Sequence, residues 1–471
     1  MNTYISNIHE KYFELLHDYF GSIYRTSPSK DPHKAGVHFA NLGLSGKILH
    51  DVFPDLRVAL MKLWAANAKN LYATIKDLPG LKTCYSGDIS PSECFDLISR
   101  TGLYIDTTLI PDPLMKLLNI PTEMIRERHL VYYVVKHTFN ILNSQQFFQS
   151  DTEVPISVIY PLEFYFDERR RRRCVEEAYS DTRDYFEELF GKTIKNDAEL
   201  DDILNQDLKT LASKIKRPQI LVPYLQDVDN ISKGLEEGAK EISTVGVLPV
   251  EGKSAGSCLK IYVNGKLLGL SDCLVDCVSF DAKPLFDAPR SWSMLRWKLQ
   301  KDTLRTVGRI GIDPSTAVIN ALQLDNFEWL GNVPLDKLVL MRKNNEMQEL
   351  RELLKNEVSE IHECNRGELE IVAKRVQSNL TRAFENHEKE IRDIENEYKK
   401  SYRVAGSLIT TGTIASIAGL FWPPAALALI LGGGGLIDLK KIYTDHKEKI
   451  LEMTNRPVGI MFAAKQRAES L

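Results

Sequence analysis

The chain has 471 residues, of which 43% are hydrophobic and 26% are charged, and its formal net charge is −4. This length predicts two or three domains, and the composition is typical of a chain that folds around a core, which excludes general disorder. The nearly balanced charge argues against a protein that coats nucleic acid. Nucleic acid is therefore not an expected general partner.

The cysteines and the N-terminus bear on the compartment. Seven cysteines are scattered through the chain, and an odd, diluted set predicts free thiols in a reducing compartment rather than a disulfide framework. The first residues, MNTYISNIHEKYFELLHDYF, contain acidic residues and histidines where a signal peptide needs an apolar core. We therefore expect a cytoplasmic protein, either peripheral to the inner membrane or inserted in it if a hydrophobic segment near the C-terminus meets lipid.

Residues 1–150 are predicted to form a helical domain. Apolar side chains recur near helical spacing at Tyr4, Ile8, Tyr12 and Leu16. The stretch TEMIRERHLVYYVVKHTFNIL has the same character further along the chain.

Residues 151–330 are predicted to form an α+β region with a small sheet. The stretch VPISVIYPLEFYF has the composition of a strand. In LKIYVNGKLLGL, Asn264-Gly265 lies between two apolar runs, and this dipeptide favours a type I′ hairpin turn. We therefore expect a β-hairpin near 259–270, between helical segments rich in carboxylates.

Residues 331–471 are predicted to form a long amphipathic helical hairpin or coiled coil. Over 335–403, apolar residues recur at heptad-like spacing with charges between them, a pattern that also allows a homo-oligomer through this segment. The expected fold is therefore mainly α, with a small α+β middle region and a C-terminal amphipathic helical hairpin that carries a hydrophobic hairpin.

The hydrophobic hairpin is predicted over 404–437, because no charged residue lies between Arg403 and Asp438. Pro423-Pro424 divides the segment into a first arm long enough to approach the ~30 Å hydrocarbon core and a second arm too short to span it. Burial in the protein core, membrane contact and an oligomer interface all remain open. The predicted membrane-contacting or partner-contacting residues are Leu408, Ile409, Ile414, Ile417, Leu420, Phe421, Trp422, Leu427, Leu429 and Ile430.

Two features suggest polar chemistry. Asp106 and Asp112 flank an apolar run in YIDTTLIPDPL, as carboxylates of a metal-dependent nuclease do at the end of a strand, although aspartate before Thr or Pro is also typical of turns and helix caps. A run of arginines suggests a polyanion site, and the carboxylates that follow it favour a solvated helix start or an internal ion-pair cluster instead. This run comprises Arg169, Arg170, Arg171, Arg172 and Arg173.

Other motifs lack the context that their chemistry needs. GKSAG around Ser254 matches a nucleophile elbow, but that motif needs a helix after the serine, and the apolar run that follows is predicted to be a strand. Cys273 and Cys277 in CLVDC have no second ligand pair nearby, so we expect buried thiols. The sequence predicts no metal site and no cofactor.

The layout of 331–471 resembles that of helical toxins and effectors that present a hydrophobic helical hairpin from a charged stalk. The resemblance implies a non-enzymatic prokaryotic effector or interaction protein, of the toxin or defence kind, whose 404–437 segment contacts a membrane or a protein partner. Two alternatives stay open. One is a soluble nucleic-acid-processing enzyme or subunit that uses Asp106, Asp112 and the arginine run. The other is a soluble helical scaffold in which the hydrophobic hairpin is core.

Overall fold

A computed structural model describes most of the first 344 residues and isolated positions after them. The described ranges are 2–42, 51–86, 105–119, 126–150, 152–162, 166–221, 230–245, 252–286 and 333–344, with single positions or short runs in 98–102, 291–301, 378–397 and 445–459. The chain divides into two compact units, Met1–Ala373 and Lys374–Leu471. The fold is mainly helical with a small parallel sheet.

The first 150 residues, predicted to be a helical domain, contain six described helices and also two strands of the sheet. The helices are α1 (Asn2–Thr26), α2 (Pro32–Asn41), α3 (Phe53–Lys76), α4 (Pro113–Leu118), α5 (Glu127–Asn143) and α6 (Gln145–Phe148). In α1 the apolar stripe is buried, and Ile8, Tyr12 and Leu16 are each almost inaccessible to solvent. The spacing of these residues places them on one face of the helix, which faces the core.

Four short strands form one sheet in the order β3-β2-β1-β4, and all neighbouring strands are parallel. The strands are β1 (Lys82–Tyr85), β2 (Thr107–Pro111), β3 (Ser157–Tyr160) and β4 (Lys283–Leu285). Residues of β1 and β3 are buried throughout, because a parallel sheet is covered on both faces. The predicted strand in VPISVIYPLEFYF is therefore confirmed at β3.

The connection from β3 to β4 is a second helical layer. Its helices are α7 (Glu168–Phe190), α8 (Asp197–Leu204), α9 (Leu208–Lys214), a 3₁₀ turn (Pro218–Leu221), α10 (Ile231–Val245) and α11 (Ala255–Phe280). Asp167 caps the start of α7, and Gly191 ends it in the left-handed conformation that glycine adopts without strain. The buried core between these helices includes Tyr185, Phe186, Leu189, Leu200, Val263 and Leu267.

The β-hairpin predicted near 259–270 is wrong, because this stretch lies inside α11. Leu259, Val263 and Leu267 recur at four-residue steps and are fully buried, which is helical spacing. No atom lies within 4 Å of the position that a Cβ on Gly265 would take, so no close contact requires a glycine here. The glycine lowers the helix propensity of this position by about 1 kcal/mol. Burial of the apolar stripe outweighs the turn preference of that dipeptide.

The predicted boundary at residue 150 runs through the sheet. The strands β1 and β2 come from 1–150, while β3 and β4 come from 151–330. The first compact unit also extends beyond 330 and includes α12 (Leu335–Lys343). Within α12, the buried Arg342 donates hydrogen bonds to the carbonyls of Gly102, Ile105 and Asp106, at 2.6–2.9 Å. This guanidinium fastens α12 to the chain that enters β2.

Most of the C-terminal helical hairpin lies outside the described residues. The scattered positions that are described between 378 and 397 are helical, and Lys449 forms an ion pair with Glu397 at 3.9 Å within the second unit. The predicted hydrophobic hairpin at 404–437, with all ten of its contact residues, lies outside the described part. Among the helices that are described, none is long and apolar enough to cross a membrane.

Candidate functional site at the carboxyl edge of the sheet

The sheet topology indicates where a ligand would bind. The order β3-β2-β1-β4 matches one half of a doubly wound sheet, in which the chain moves outward from β1 to β3 and then returns to the other side of β1. In open sheets of this kind, ligands bind outside the carboxyl ends of the strands, where the direction of winding changes. The polar side chains at this carboxyl edge are therefore the first candidates for function.

Asp112 lies at the carboxyl end of β2 and is completely buried. Its carboxylate accepts hydrogen bonds from the Tyr12 hydroxyl at 3.0 Å and from the Trp64 indole at 2.7 Å. It also caps α4 by accepting bonds from the backbone N–H groups of Leu114 and Met115. Burial raises the pKa of Asp112 to about 6, although these hydrogen bonds oppose the shift. The helix-capping interpretation of Asp112 is confirmed.

The structure does not bring Asp106 and Asp112 together. They lie at opposite ends of β2, and a strand of this length separates them by roughly 20 Å at about 3.3 Å per residue. The Asp106 carboxylate accepts a 2.7 Å hydrogen bond from the backbone N–H of Leu81 and closes the turn before β1. A shared catalytic site for the two aspartates is therefore excluded by geometry.

The arginine run divides into one buried and four exposed residues. Arg169, Arg171, Arg172 and Arg173 are exposed on the first turns of α7, and Arg172 pairs with Glu168 at 3.4 Å. Arg170 points inward instead. Its guanidinium contacts Asp276 at 2.5 Å and Asp272 at 3.0 Å, both on α11. The predicted five-residue polyanion patch is therefore reduced to four residues, and Arg170 belongs to an internal ion-pair cluster.

Tyr160 extends this cluster to the end of β3. Its hydroxyl donates a 2.8 Å hydrogen bond to Asp276, whose other carboxylate oxygen accepts from Arg170. Burial and the neighbouring carboxylate of Asp272 raise the pKa of Asp276, against the opposing effect of Arg170. Burial raises the pKa of Tyr160 as well. We call the set Tyr160, Arg170, Asp272 and Asp276 the edge cluster.

Lys116 lies on α4, which begins at the carboxyl end of β2. Its side chain is half-buried: some surface remains accessible, although protein atoms crowd the amine. Burial lowers the pKa of Lys116, and the carboxylate of Asp272 partly offsets that shift. Among the described residues, none accepts a hydrogen bond from the Lys116 amine. Asp272 is itself bonded to Arg170.

Three thiols line the same side of the sheet. Cys84 on β1 is buried with Cys273 and Cys277 on α11, and the Cys273 thiol contacts the Cys84 carbonyl at 3.8 Å. Burial raises the pKa of Cys84 to about 11, and the pKa of Cys277 is raised for the same reason. Buried, protonated thiols are poor nucleophiles and poor metal ligands. Over the part of the chain that the structure describes, no group of His, Cys, Asp and Glu side chains has the geometry to hold a metal ion.

Ser254 caps the start of α11, so a helix follows GKSAG and the predicted strand after it is wrong. The hydroxyl contacts the carbonyl of Leu204 at 3.0 Å and accepts from the N–H of Ser257. A Cβ on Gly256 would lie 2.2 Å from the Leu204 carbonyl oxygen, so the glycine permits close backbone packing. These contacts explain the small residues of the motif by packing and capping.

A second buried charge cluster lies further along α7. Lys298 is completely buried, and its amine contacts Asp181 at 2.6 Å and Glu177 at 2.7 Å. Burial would lower the pKa of Lys298, but the two carboxylates raise it above the ordinary value. This cluster fixes the chain segment around residue 298 to α7 and lies in the core, not at the edge of the sheet.

Sequence reasoning missed the edge cluster and Lys116. Their residues come from α4, β3, α7 and α11, which are distant along the chain. One signal was present: Asp272 and Asp276 are four residues apart, which places both carboxylates on one face once α11 is recognised as a helix. Comparison with protein-family models, curated proteins and solved structures finds no match for this chain.

Proposed function

We propose that the chain is a non-enzymatic effector or interaction protein whose 404–437 segment contacts a membrane or a protein partner. The observation that carries this proposal is the absence of charge between Arg403 and Asp438 in a chain that is 26% charged. Lys399 and Lys400 precede the segment, and Lys440 and Lys441 follow it. Cations on both flanks favour contact with one anionic membrane surface.

The contacts of the sequence-predicted catalytic residues support the non-enzymatic part of the proposal. Asp112 accepts hydrogen bonds from donors on three helices and caps one of them. Arg170 forms ion pairs with two carboxylates. The nucleic-acid-processing alternative needs Asp106 and Asp112 in one site, and β2 separates them. No observation favours that alternative.

Flotation with vesicles of phosphatidylglycerol and phosphatidylcholine tests the proposal. We expect the full chain to float with the vesicles, and the double variant Leu420→Asp, Phe421→Asp to remain folded and sink. Each aspartate costs about 2.5–3.5 kcal/mol at the centre of a membrane helix, so vesicle binding should fall at least tenfold. The matched control is Val278→Asp, Val58→Asp, because both valines are exposed on described helices, at 80% and 50%.

Two outcomes would contradict membrane contact. If the wild-type chain stays at the bottom of the gradient, the segment does not bind this lipid surface, and a protein partner is the remaining form of the proposal. If the Leu420→Asp, Phe421→Asp variant unfolds while the control pair does not, the segment is part of the protein core. That result would favour the scaffold alternative.

A further inference from the structure

His9 is a completely buried histidine on α1, and its imidazole joins that helix to two other elements of the first compact unit. The Nδ1 atom lies 2.9 Å from the carbonyl oxygen of Phe148 on α6, and the Nε2 atom lies 3.1 Å from the backbone nitrogen of Ile159 on β3. Because β3 is an outermost strand, its outer backbone groups have no neighbouring strand to pair with. The imidazole supplies the acceptor for the Ile159 N–H.

The two contacts define the protonation state of the ring. A backbone N–H only donates and a carbonyl only accepts, so Nε2 accepts from Ile159 and Nδ1 donates to Phe148. This is the neutral imidazole, with its one N–H hydrogen on Nδ1. A second proton would occupy Nε2 and point at the N–H of Ile159. The carbonyl of Ile159, 3.4 Å from Nε2, would accept the new N–H but would leave the Ile159 N–H without its acceptor, which is costly in a buried site.

The titratable groups on the elements packed against α1 do not compensate a charged imidazole at this position. Helix α6 carries none, and on β3 the hydroxyl of Tyr160 is bonded to Asp276. Helix α5 carries the buried Lys136 and His137 but meets α1 at Tyr24, about 22 Å along α1 from the imidazole at 1.5 Å per residue. The charged side chains of α3 are all exposed, and they are Asp55, Arg57, Lys62, Lys69 and Lys76.

One buried carboxylate contacts α1 itself, and it does not act on His9. Asp112 accepts a hydrogen bond from Tyr12, which lies one turn along α1. Burial lowers the pKa of His9, and among the described residues only the carbonyls of Phe148 and Ile159 oppose the shift. Between the lowered value and the ordinary value of 6.5, a state in which α1 has opened binds more protons than the closed state. Opening therefore becomes more favourable as pH falls.

We propose that His9 is an acid-sensitive contact that releases α1 from the edge of the sheet when the imidazole takes up a second proton. At neutral pH the ring satisfies the Ile159 N–H and holds α1 against β3 and α6. The proton comes from solvent and enters as α1 separates from β3, because two hydrogens do not fit between nitrogen atoms 3.1 Å apart. This device lies within the first compact unit and operates whether or not the 404–437 segment contacts a membrane.

Hydrogen–deuterium exchange of the full-length protein tests the proposal, with mass spectrometry and fragmentation to resolve the Ile159 amide. At each pH the intrinsic exchange rate is divided by the observed rate to give a protection factor. We expect this factor to fall by at least about fivefold from pH 7 to pH 5, and by no more than about tenfold per pH unit, because opening takes up one proton. The amide of Thr108, which bonds to the carbonyl of Ile156 on the inner side of β3, should keep its protection.

His9→Gln is the matched variant, because a glutamine amide both donates and accepts but takes up no proton in this range. Protection of Ile159 in this variant should not change with pH. His17→Gln is the control: His17 is exposed on the same helix and contacts Gln145 at 3.2 Å, so this variant should keep the wild-type pH dependence. A local readout is needed because the titration of Asp112 acts on global stability with the opposite sign.

Constant Ile159 protection from pH 7 to pH 5 in the wild-type chain would overturn the proposal, and so would an equal fall in His9→Gln. If His9→Gln fails to fold, long-range ¹H–¹⁵N NMR of the wild-type imidazole is the second measurement. We expect Nε2 of His9 to carry no hydrogen at pH 7, as the contact with Ile159 requires. A hydrogen on Nε2 at pH 7 would contradict the acid-sensitive contact.

Discussion

Two buried or half-buried lysines lie in different regions of the first compact unit and have opposite environments. Lys298 lies in the core beside α7, where two carboxylates contact its amine at 2.6 and 2.7 Å. Lys116 lies at the carboxyl edge of the sheet, where the carboxylate that acts on it is bonded to Arg170. The pKa of Lys298 is raised, because its carboxylates outweigh burial, and the pKa of Lys116 is lowered, because burial outweighs Asp272.

The two lysines differ in whether carboxylates contact the buried amine. A buried ammonium that contacts two carboxylates is satisfied, and removal of the ammonium leaves both carboxylates without their cation. A crowded amine without an acceptor is not satisfied, and it gains from any change that removes its charge. The number of close hydrogen-bond partners therefore decides whether a buried lysine stabilises the fold.

The largest effect is expected for Lys298→Met. The methionine fills a similar volume but leaves the buried Asp181 and the partly exposed Glu177 without their cation, so the free energy of unfolding should fall by roughly 3–5 kcal/mol. Urea denaturation followed by circular dichroism measures this loss. The control is Lys260→Met, because Lys260 pairs with the half-exposed Asp201 and should lose no more than about 1 kcal/mol.

Equal losses in these two variants would break the comparison, since they would mean that burial of the ion pair makes no difference. A loss near zero for Lys298→Met would show that an apolar side chain replaces the buried cluster without penalty.

The helices were predictable from the sequence because helical periodicity is local. Ile8, Tyr12 and Leu16 form the buried stripe of α1, and Asp112 caps α4 by a contact within three residues along the chain. The prediction failed where a local turn signal opposed a longer pattern. Asn264-Gly265 favours a turn, but the buried stripe of α11 extends on both sides of it and decides the conformation.

The carboxyl edge could not be predicted in the same way. Tyr160, Arg170 and Asp276 become neighbours only because β3, α7 and α11 meet at one end of the sheet. The arginine run was visible, but the inward direction of Arg170 depends on its position on α7 and on carboxylates about 100 residues further along the chain. Lys116 has no sequence signature, because its environment consists of contacts between distant segments.

The buried carboxylate of Asp112 also lacks a partner of opposite charge among the described residues, and we expect it to have a smaller effect on stability than Lys298. Asp112 is buried among neutral donors, and among the described residues no cation contacts its carboxylate. Its pKa is raised from 3.8 to about 6, so between these values the folded state binds more protons than the unfolded state. Stability should therefore fall as pH rises through this window, by up to about 3 kcal/mol at 1.36 kcal/mol per pKa unit.

The Asp112→Asn variant should lose this pH dependence between pH 4 and 7, whatever its absolute stability. Urea denaturation at a series of pH values measures the slope. The control is Asp207→Asn, an exposed helix cap whose pKa is lowered by hydrogen bonds from Thr210 and which therefore titrates below this window. An unchanged slope in Asp112→Asn would mean that another buried group, such as Asp276, dominates the titration.

The smallest effect, and the one of opposite sign, is expected for Lys116→Met. Because the pKa of Lys116 is lower in the folded state, its ammonium destabilises the fold at neutral pH, and this cost disappears only as pH rises toward the ordinary value of 10.5. Removal of the charge should raise the free energy of unfolding by up to about 1 kcal/mol at pH 7. Lys116→Arg, which keeps the charge, should give no such gain. If Lys116→Met instead loses more than about 1 kcal/mol, the amine has an acceptor and belongs with Lys298, and the distinction between the two lysines fails.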